Sequence, residues 1–395
     1  MTNAVTALTD PALYTEGDPH AAWRALRRDR PVSQQEPDGF EPFWAVTTHQ
    51  LGLRVLTDVD RFTSTRGTFL RANHSAPYPG GGAMMALTDP PRHSVLRRVI
   101  SPAFTTRAAA ATEERARHAV RSVLDDAAAV GRFNFVREVA GKLSLTVLGD
   151  LFGVPDADHA WVQRYADIAT DTFTDIGGLD GATAHVELLA YYNDLLAERR
   201  GDPGDDILSA FVQAQADGLD ISDDDILLTC DNVIVAANDT TRHAASACAL
   251  WLLDHPDAWA LLRRGEIDLR TAIEEVLRWD PPVIHVMRTA LADTELGGET
   301  IRAGEPVTVW LASINRDETV FDRADELVLD RTPNRHVAFG GGPHFCIGAP
   351  LARVMIRVLL EELLHHPAGI ALDGPPTRRG THAIAGLRAV PVRMG

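Results

Sequence analysis

Cys346 is the residue around which chemistry can be built. It lies in the run Phe339-Gly340-Gly341-Gly342-Pro343-His344-Phe345-Cys346-Ile347-Gly348. Directly after it, Leu351, Val354, Met355, Val358 and Leu359 recur at the i, i+3, i+4, i+7, i+8 spacing of an amphipathic helix. A cysteine just before a helix meets unsatisfied N–H groups and the positive end of the dipole, which favour its thiolate. Glycines let the loop turn its N–H groups toward sulfur. Zinc or an iron–sulfur cluster needs several cysteines close together, but Cys230 and Cys248 are distant and sit in apolar surroundings. Three readings remain: a nucleophile assisted by His344, a lone thiolate on haem iron, or a structural cysteine in a glycine-rich turn.

Three further constellations carry chemistry. His93 and Arg97, four apart after Pro90-Pro91, project from one face of a short helix and can hold an anion. Asp239 and Thr240 place an acid beside a hydroxyl in an otherwise apolar helix. There they either do a job or satisfy each other locally, in a salt bridge and a helix back-bond. On the same helix Asn232, Ala236 and Thr240 share a face. Glu275 and Arg278 are i, i+3 and can pair. After Pro281-Pro282 the β-prone run Val283–Arg288 puts Ile284, Val286 and Arg288 on one side, with His285 opposite.

Taken together, these residues resemble the cytochromes P450 in their bacterial, soluble form, of the kind found in actinobacterial specialised metabolism. The resemblance runs over nearly the whole chain, through His93-x-x-x-Arg97, Ala236 to Thr241, Glu275-x-x-Arg278 and Phe339 to Gly348, in that order. It implies a b-type haem with Cys346 as the iron ligand, Phe339 and Gly348 flanking it, and His93, Arg97, Arg288 and His344 on the propionates. It implies that Thr240 hydrogen-bonds dioxygen or an ordered water while Asp239 relays protons. Asn232, Ala236, Ala237, Ile284 and Val286 then line the substrate pocket. Glu275, Arg278 and a third member, Arg331, lock the fold. One departure is plain: Ala237 stands where the family usually has glycine.

The elements that must position these residues are legible in outline. Ser222 followed by Asp223-Asp224-Asp225 starts a helix that runs to about Leu253, roughly 45 Å long. Residues 1–20 read as a loosely attached arm, 21–30 as a short helix, and Phe43–Thr47 and Val307–Trp310 as strands. The segment 61–86, rich in Gly, Pro and Ser, reads as a long loop; by the resemblance it covers the pocket, and 173–192 is a second lid. From Arg107 to Ala216 the chain is mostly helical. The expected fold is mainly α with a minor β part, one domain over 1–395, with a long central helix over a haem.

Composition sets the frame. Of 395 residues, 45% are hydrophobic, enough for a sizeable core. A net charge of −17 argues against general nucleic-acid binding. Three cysteines fit a reducing cytosol, and no signal peptide or membrane span is evident. The expected activity is a cytoplasmic monooxygenase inserting one oxygen atom into a small apolar or natural-product substrate, free or tethered to a carrier protein. Electrons are expected from a ferredoxin and its reductase, docking near Arg97, Arg98, Arg353 and Arg357. The alternatives are an oxidase that couples phenols or closes rings without inserting oxygen, and a haem protein that binds or senses without turnover.

Overall fold

The computed structural model describes residues 8–78, 80–170 and 178–395. Helices dominate, and strands are confined to short pieces. The central helix, Asp223–Asp254, is 32 residues long, about 48 Å at 1.5 Å per residue. Its start is a capping box: Asp225 N–H donates to Ser222 Oγ at 3.2 Å, and Ser222 N–H donates to the Asp225 carboxylate at 2.8 Å. Asp225 also pairs with Arg92, tying this start to the head of the cationic helix Arg92–Ile100. Around the central helix, the largest apolar core joins that helix to Glu113–Val130, His159–Thr170, Gly178–Gly201 and Ala349–His365.

The β part is one five-stranded sheet with small satellites. Its order is Val32–Gln35, Phe43–Val46, Pro306–Val309, Val286–Ala290, Phe62–Thr63. Trp44 pairs in parallel with Val307, and Arg288 pairs antiparallel with the same residue. The strand carrying Arg288 is therefore an inner one, flanked on both edges, which fixes where that guanidinium can reach.

One expectation changes here. The N-terminal arm is not loose from residue 8 onward. Leu8 (1% exposed) and Leu13 pack with Trp23 and Trp310, and the Tyr14 hydroxyl donates to the Leu8 carbonyl at 2.6 Å. Burying such apolar side chains stabilises by about 1.5–3 kcal/mol each, enough to hold the segment down. Of the second lid, residues 173–177 lie outside the described residues, and the rest belongs to the helix Gly178–Gly201. The loop 61–86 is irregular as read, broken only by Phe62–Thr63 and a short 3-10 turn at Met85–Leu87.

The Glu275 helix, Leu269–Trp279, carries a buried ionic knot. Arg278 meets both carboxylate oxygens of Glu275 at 2.7 and 2.8 Å, and Arg331 Nε joins at 3.0 Å. Asn334 and the Val328 N–H complete the acceptor's shell. The remaining guanidinium hydrogens of Arg278 go to the carbonyls of Asn315, Ala324 and Glu326. Glu275 and Arg278 are fully buried, and each charge is met by an opposite charge and hydrogen bonds.

Candidate haem-thiolate site

The cysteine loop is held open by glycine. Gly342 has φ +65°, and a Cβ there would lie 2.3 Å from the Leu56 carbonyl oxygen, so a side chain is excluded on both counts. The loop closes on itself through the Cys346 N–H, which donates to the Phe339 carbonyl at 2.9 Å. Three residues on, the helix Ala349–His365 begins with Gly348 as its cap and buries Leu351, Met355, Val358 and Leu359. Cys346 lines an internal cavity of about 300 Å³, and its free surface opens into that space. Burial pushes its thiol up. The N–H groups of Gly348 and Ala349, with Arg97 and Arg353, pull the other way, as expected for a loop at a helix start. Burial outweighs them in sign, while the groups at the helix start act in the direction read from the sequence.

Two arginines and two histidines converge on the same cavity. Arg288, 5% exposed, donates among the described residues only to its neighbour's carbonyl, Met287 O, at 2.7 Å. Arg97 donates to the Phe345 carbonyl at 2.8 Å. His344 shares a hydrogen bond with the Ser64 hydroxyl at 3.1 Å, and its ring centre lies 4.2 Å from that of His93. The buried Nδ1 of His93 has no partner among the described residues. None of the four makes an ion pair with a carboxylate among those residues; desolvation acts on all of them, and the arginines also repel a charge on either histidine. Burial and then Arg97 hold His93 near 4; burial, then Arg288 and His93, push His344 to about 2; burial brings Arg288 down to about 10. Two guanidinium groups and two imidazoles held neutral, with Asp89 nearby but bonded to none of them, leave donors free to receive an anion.

The central helix supplies the opposite wall. Asn232, Ala236, Ala237, Thr240 and Thr241 line the cavity, as does Val286 from the inner strand. Thr240 Oγ donates to the Ala236 carbonyl at 2.7 Å, the helix back-bond. Asp239 is 6% exposed and does not line the cavity; it accepts from Arg379 at 3.1 Å and lies 3.9 Å from Arg242. The acid thus sits one step behind the hydroxyl, held by a guanidinium from the C-terminal hairpin that is a third exposed.

The family model described as Cytochrome P450 matches residues 269–366. The mycinamicin IV hydroxylase/epoxidase of Micromonospora griseorubida is 35% identical over 378 residues, 93% of this chain and 94% of that protein. This chain belongs to the cytochrome P450 family. A solved structure of P450 OxyD, described as involved in the biosynthesis of vancomycin-type antibiotics, is 33% identical with a TM-score of 0.89 over 98% of each chain. Another, P450BioI in complex with an acyl carrier protein bearing hexadec-9Z-enoic acid, is 26% identical with a TM-score of 0.88, covering 96% of this chain and 99% of that one.

Cytochromes P450 are haem-thiolate monooxygenases that bind protoporphyrin IX haem, and the cavity fits that group. A single cysteine faces a mostly apolar space whose two arginines lack carboxylate partners among the described residues, matching a flat apolar macrocycle with two carboxylates. Phe339 and Gly348 line the space beside the sulfur, as read from the sequence. Ile284 does not line it. The regular strand begins only at Val286; before that, Val283 makes an isolated bridge to Ile384, which breaks the alternation. Val283 therefore faces the cavity while Ile284 packs with Trp23, Met287 and Trp310. His285, on the opposite side, is buried and satisfied: its two ring nitrogens meet the His382 carbonyl and the Leu70 N–H.

The proposed basic docking spot is smaller than the sequence suggests. Arg353 is clamped by both oxygens of Glu274 at 2.7 Å, and Arg357 pairs with Glu113 and Glu361. Arg97 is turned into the cavity. Arg98 alone of the four is exposed, with no ion pair among the described residues. Sequence reasoning missed Thr68, Phe69 and Met85 from the irregular loop, and Phe104 and Leu148, as lining residues. It also missed Arg379, 140 residues from the acid it holds. No helix among the described residues is long and apolar enough to cross a membrane.

Proposed function

We propose that this P450 hydroxylates or epoxidises a small, largely apolar natural product, in cytoplasmic specialised metabolism. Cys346 is the residue that would ligate the haem iron, and His93, Arg97, Arg288 and His344 are those that would hold the propionates. When bound there, haem supplies the activation of O₂, one oxygen atom entering the substrate and the other leaving as water. Thr240 presents a hydroxyl at the cavity wall, able to hold a water or pass a proton. Asp239, behind it and bonded to the partly exposed Arg379, is the acid through which protons reach that hydroxyl from solvent. Ala236, Ala237, Val283 and Val286 exclude water from the reacting face. We read the chain as one domain around this cavity, reduced by a ferredoxin and its reductase at the cysteine face, where Arg98 is exposed.

The single observation that supports this most is the convergence on one cavity of a lone cysteine, two arginines and two histidines without carboxylate partners among the described residues, and Thr240. The test is the difference spectrum of the reduced holoprotein under carbon monoxide. A thiolate-type band, abolished in Cys346→Ala, is expected. A nitrogen-ligand band, or a chain that takes up no haem, would sink the reading. Hydroxylated or epoxidised product carrying one labelled oxygen from ¹⁸O₂ separates insertion from phenol coupling, which retains none.

A further inference from the structure

Two asparagines of the central helix differ in a way that bears on the substrate. Asn238 is fully engaged: its carbonyl accepts from Gln163 at 2.5 Å and from Arg242 at 3.1 Å, and its amide donates to Asp167 at 2.7 Å. Asn232 is half-buried, faces the cavity, and its carboxamide makes no hydrogen bond among the described residues. An amide in a largely apolar space, with both its donor and acceptor unspent, is a binding group awaiting a ligand. It lies eight residues from Thr240 on the same face, roughly 12 Å along the helix.

The charges of the lining restrict that ligand. Its cations are Arg97 and Arg288, set with His93 and His344 against the propionates, and no Asp, Glu or Lys lines the cavity among the described residues. A charged substrate would lose its hydration there and gain no counter-charge. The other uncommitted polar groups are the short hydroxyls of Thr68 and Thr241. Resting on the haem-thiolate reading above, we propose that the substrate is a neutral, mostly apolar molecule with a hydroxyl, ketone or amide that Asn232 grips. That group lies roughly 12 Å from the carbon oxidised beside Thr240. Free amino acids and fatty acids, whose carboxylates find no partner here, are excluded; neutral terpenoid, polyketide or steroid-like skeletons are admitted.

The holoprotein is titrated with dodecan-2-one, dodecane and dodecanoic acid, and binding is followed by the haem spectral shift. The ketone is expected to bind about fivefold tighter than the hydrocarbon, the worth of one neutral hydrogen bond. It should also bind at least about tenfold tighter than the ionised acid, which carries an uncompensated charge. Asn232→Leu, close in volume, should erase the ketone's advantage while leaving the carbon monoxide spectrum intact. Asn232→Asp, which accepts but cannot donate, should prefer dodecan-2-ol over the ketone. With the wild type, oxidation should fall at the end of the chain remote from the carbonyl. A ketone advantage that survives Asn232→Leu, or an acid bound as tightly as the ketone, overturns the inference. A preparation without the thiolate band fails the haem reading instead, so the two failures are told apart.

Discussion

Buried charge is handled in two opposite ways in this protein. At the Glu275 helix, Arg278 and Arg331 share one carboxylate, and their remaining hydrogens find backbone carbonyls. At the cavity, Arg288 is almost equally buried but donates to a single carbonyl, and His93 keeps a nitrogen unspent. The first arrangement is complete within the chain and serves the fold. The second is incomplete by one anion and serves a ligand. Exposure does not distinguish them; hydrogen-bond closure does.

The largest expected effect breaks the closed arrangement. Glu275→Gln strands two guanidinium groups in the interior and should destabilise by about 3–5 kcal/mol, read as a lowered denaturation midpoint or loss of soluble protein. Arg288→Leu should do the reverse to the empty protein, leaving it at least as stable, because an unpaired buried cation is removed. The same variant should release haem about tenfold faster to an acceptor protein, having lost a charge-assisted bond. Equal destabilisation by both substitutions would erase the distinction. A further effect concerns acid. Burial and Arg97 hold His93 near 4 against an ordinary 6.5, so the unfolded chain binds more protons between those values. Stability of the empty protein is therefore retained above pH 6.5 and falls as pH drops toward 4, by on the order of 2 kcal/mol from this residue. His93→Phe should flatten that slope, and so should bound haem, whose carboxylates favour the charged ring. A slope unchanged by haem would remove His93 from the anion site.

What was legible in the sequence was local. Cys346 with its glycines, Glu275 with Arg278, and His93 with Arg97 each depend on spacing within a turn or two, and the structure brings each set together. Ser222 was readable as a cap, and the central helix ends within a residue or so of its expected limit. The failures were of other kinds. Ile284 was assigned to the cavity by alternation, but the strand starts two residues later, a fact set by pairing with Val309 and not by composition. Arg379 reaches Asp239 from a hairpin far along the chain, past Gly386, where a Cβ would lie 2.7 Å from its side chain. No short-range signal marks that contact. The neutralised docking spot could have been foreseen in part, since Arg357 and Glu361 are i, i+4 on one helix.

Glu274 and Glu275 are neighbours in sequence and face different tasks. Glu274 clamps Arg353, whose guanidinium lies 4.4 Å from the centre of the Phe339 ring, and the Phe339 carbonyl receives the Cys346 N–H. The sulfur's platform is thus bolted to the same short helix that anchors the ionic knot. A change at Glu274 would therefore loosen the sulfur's platform without altering any residue of the cysteine loop.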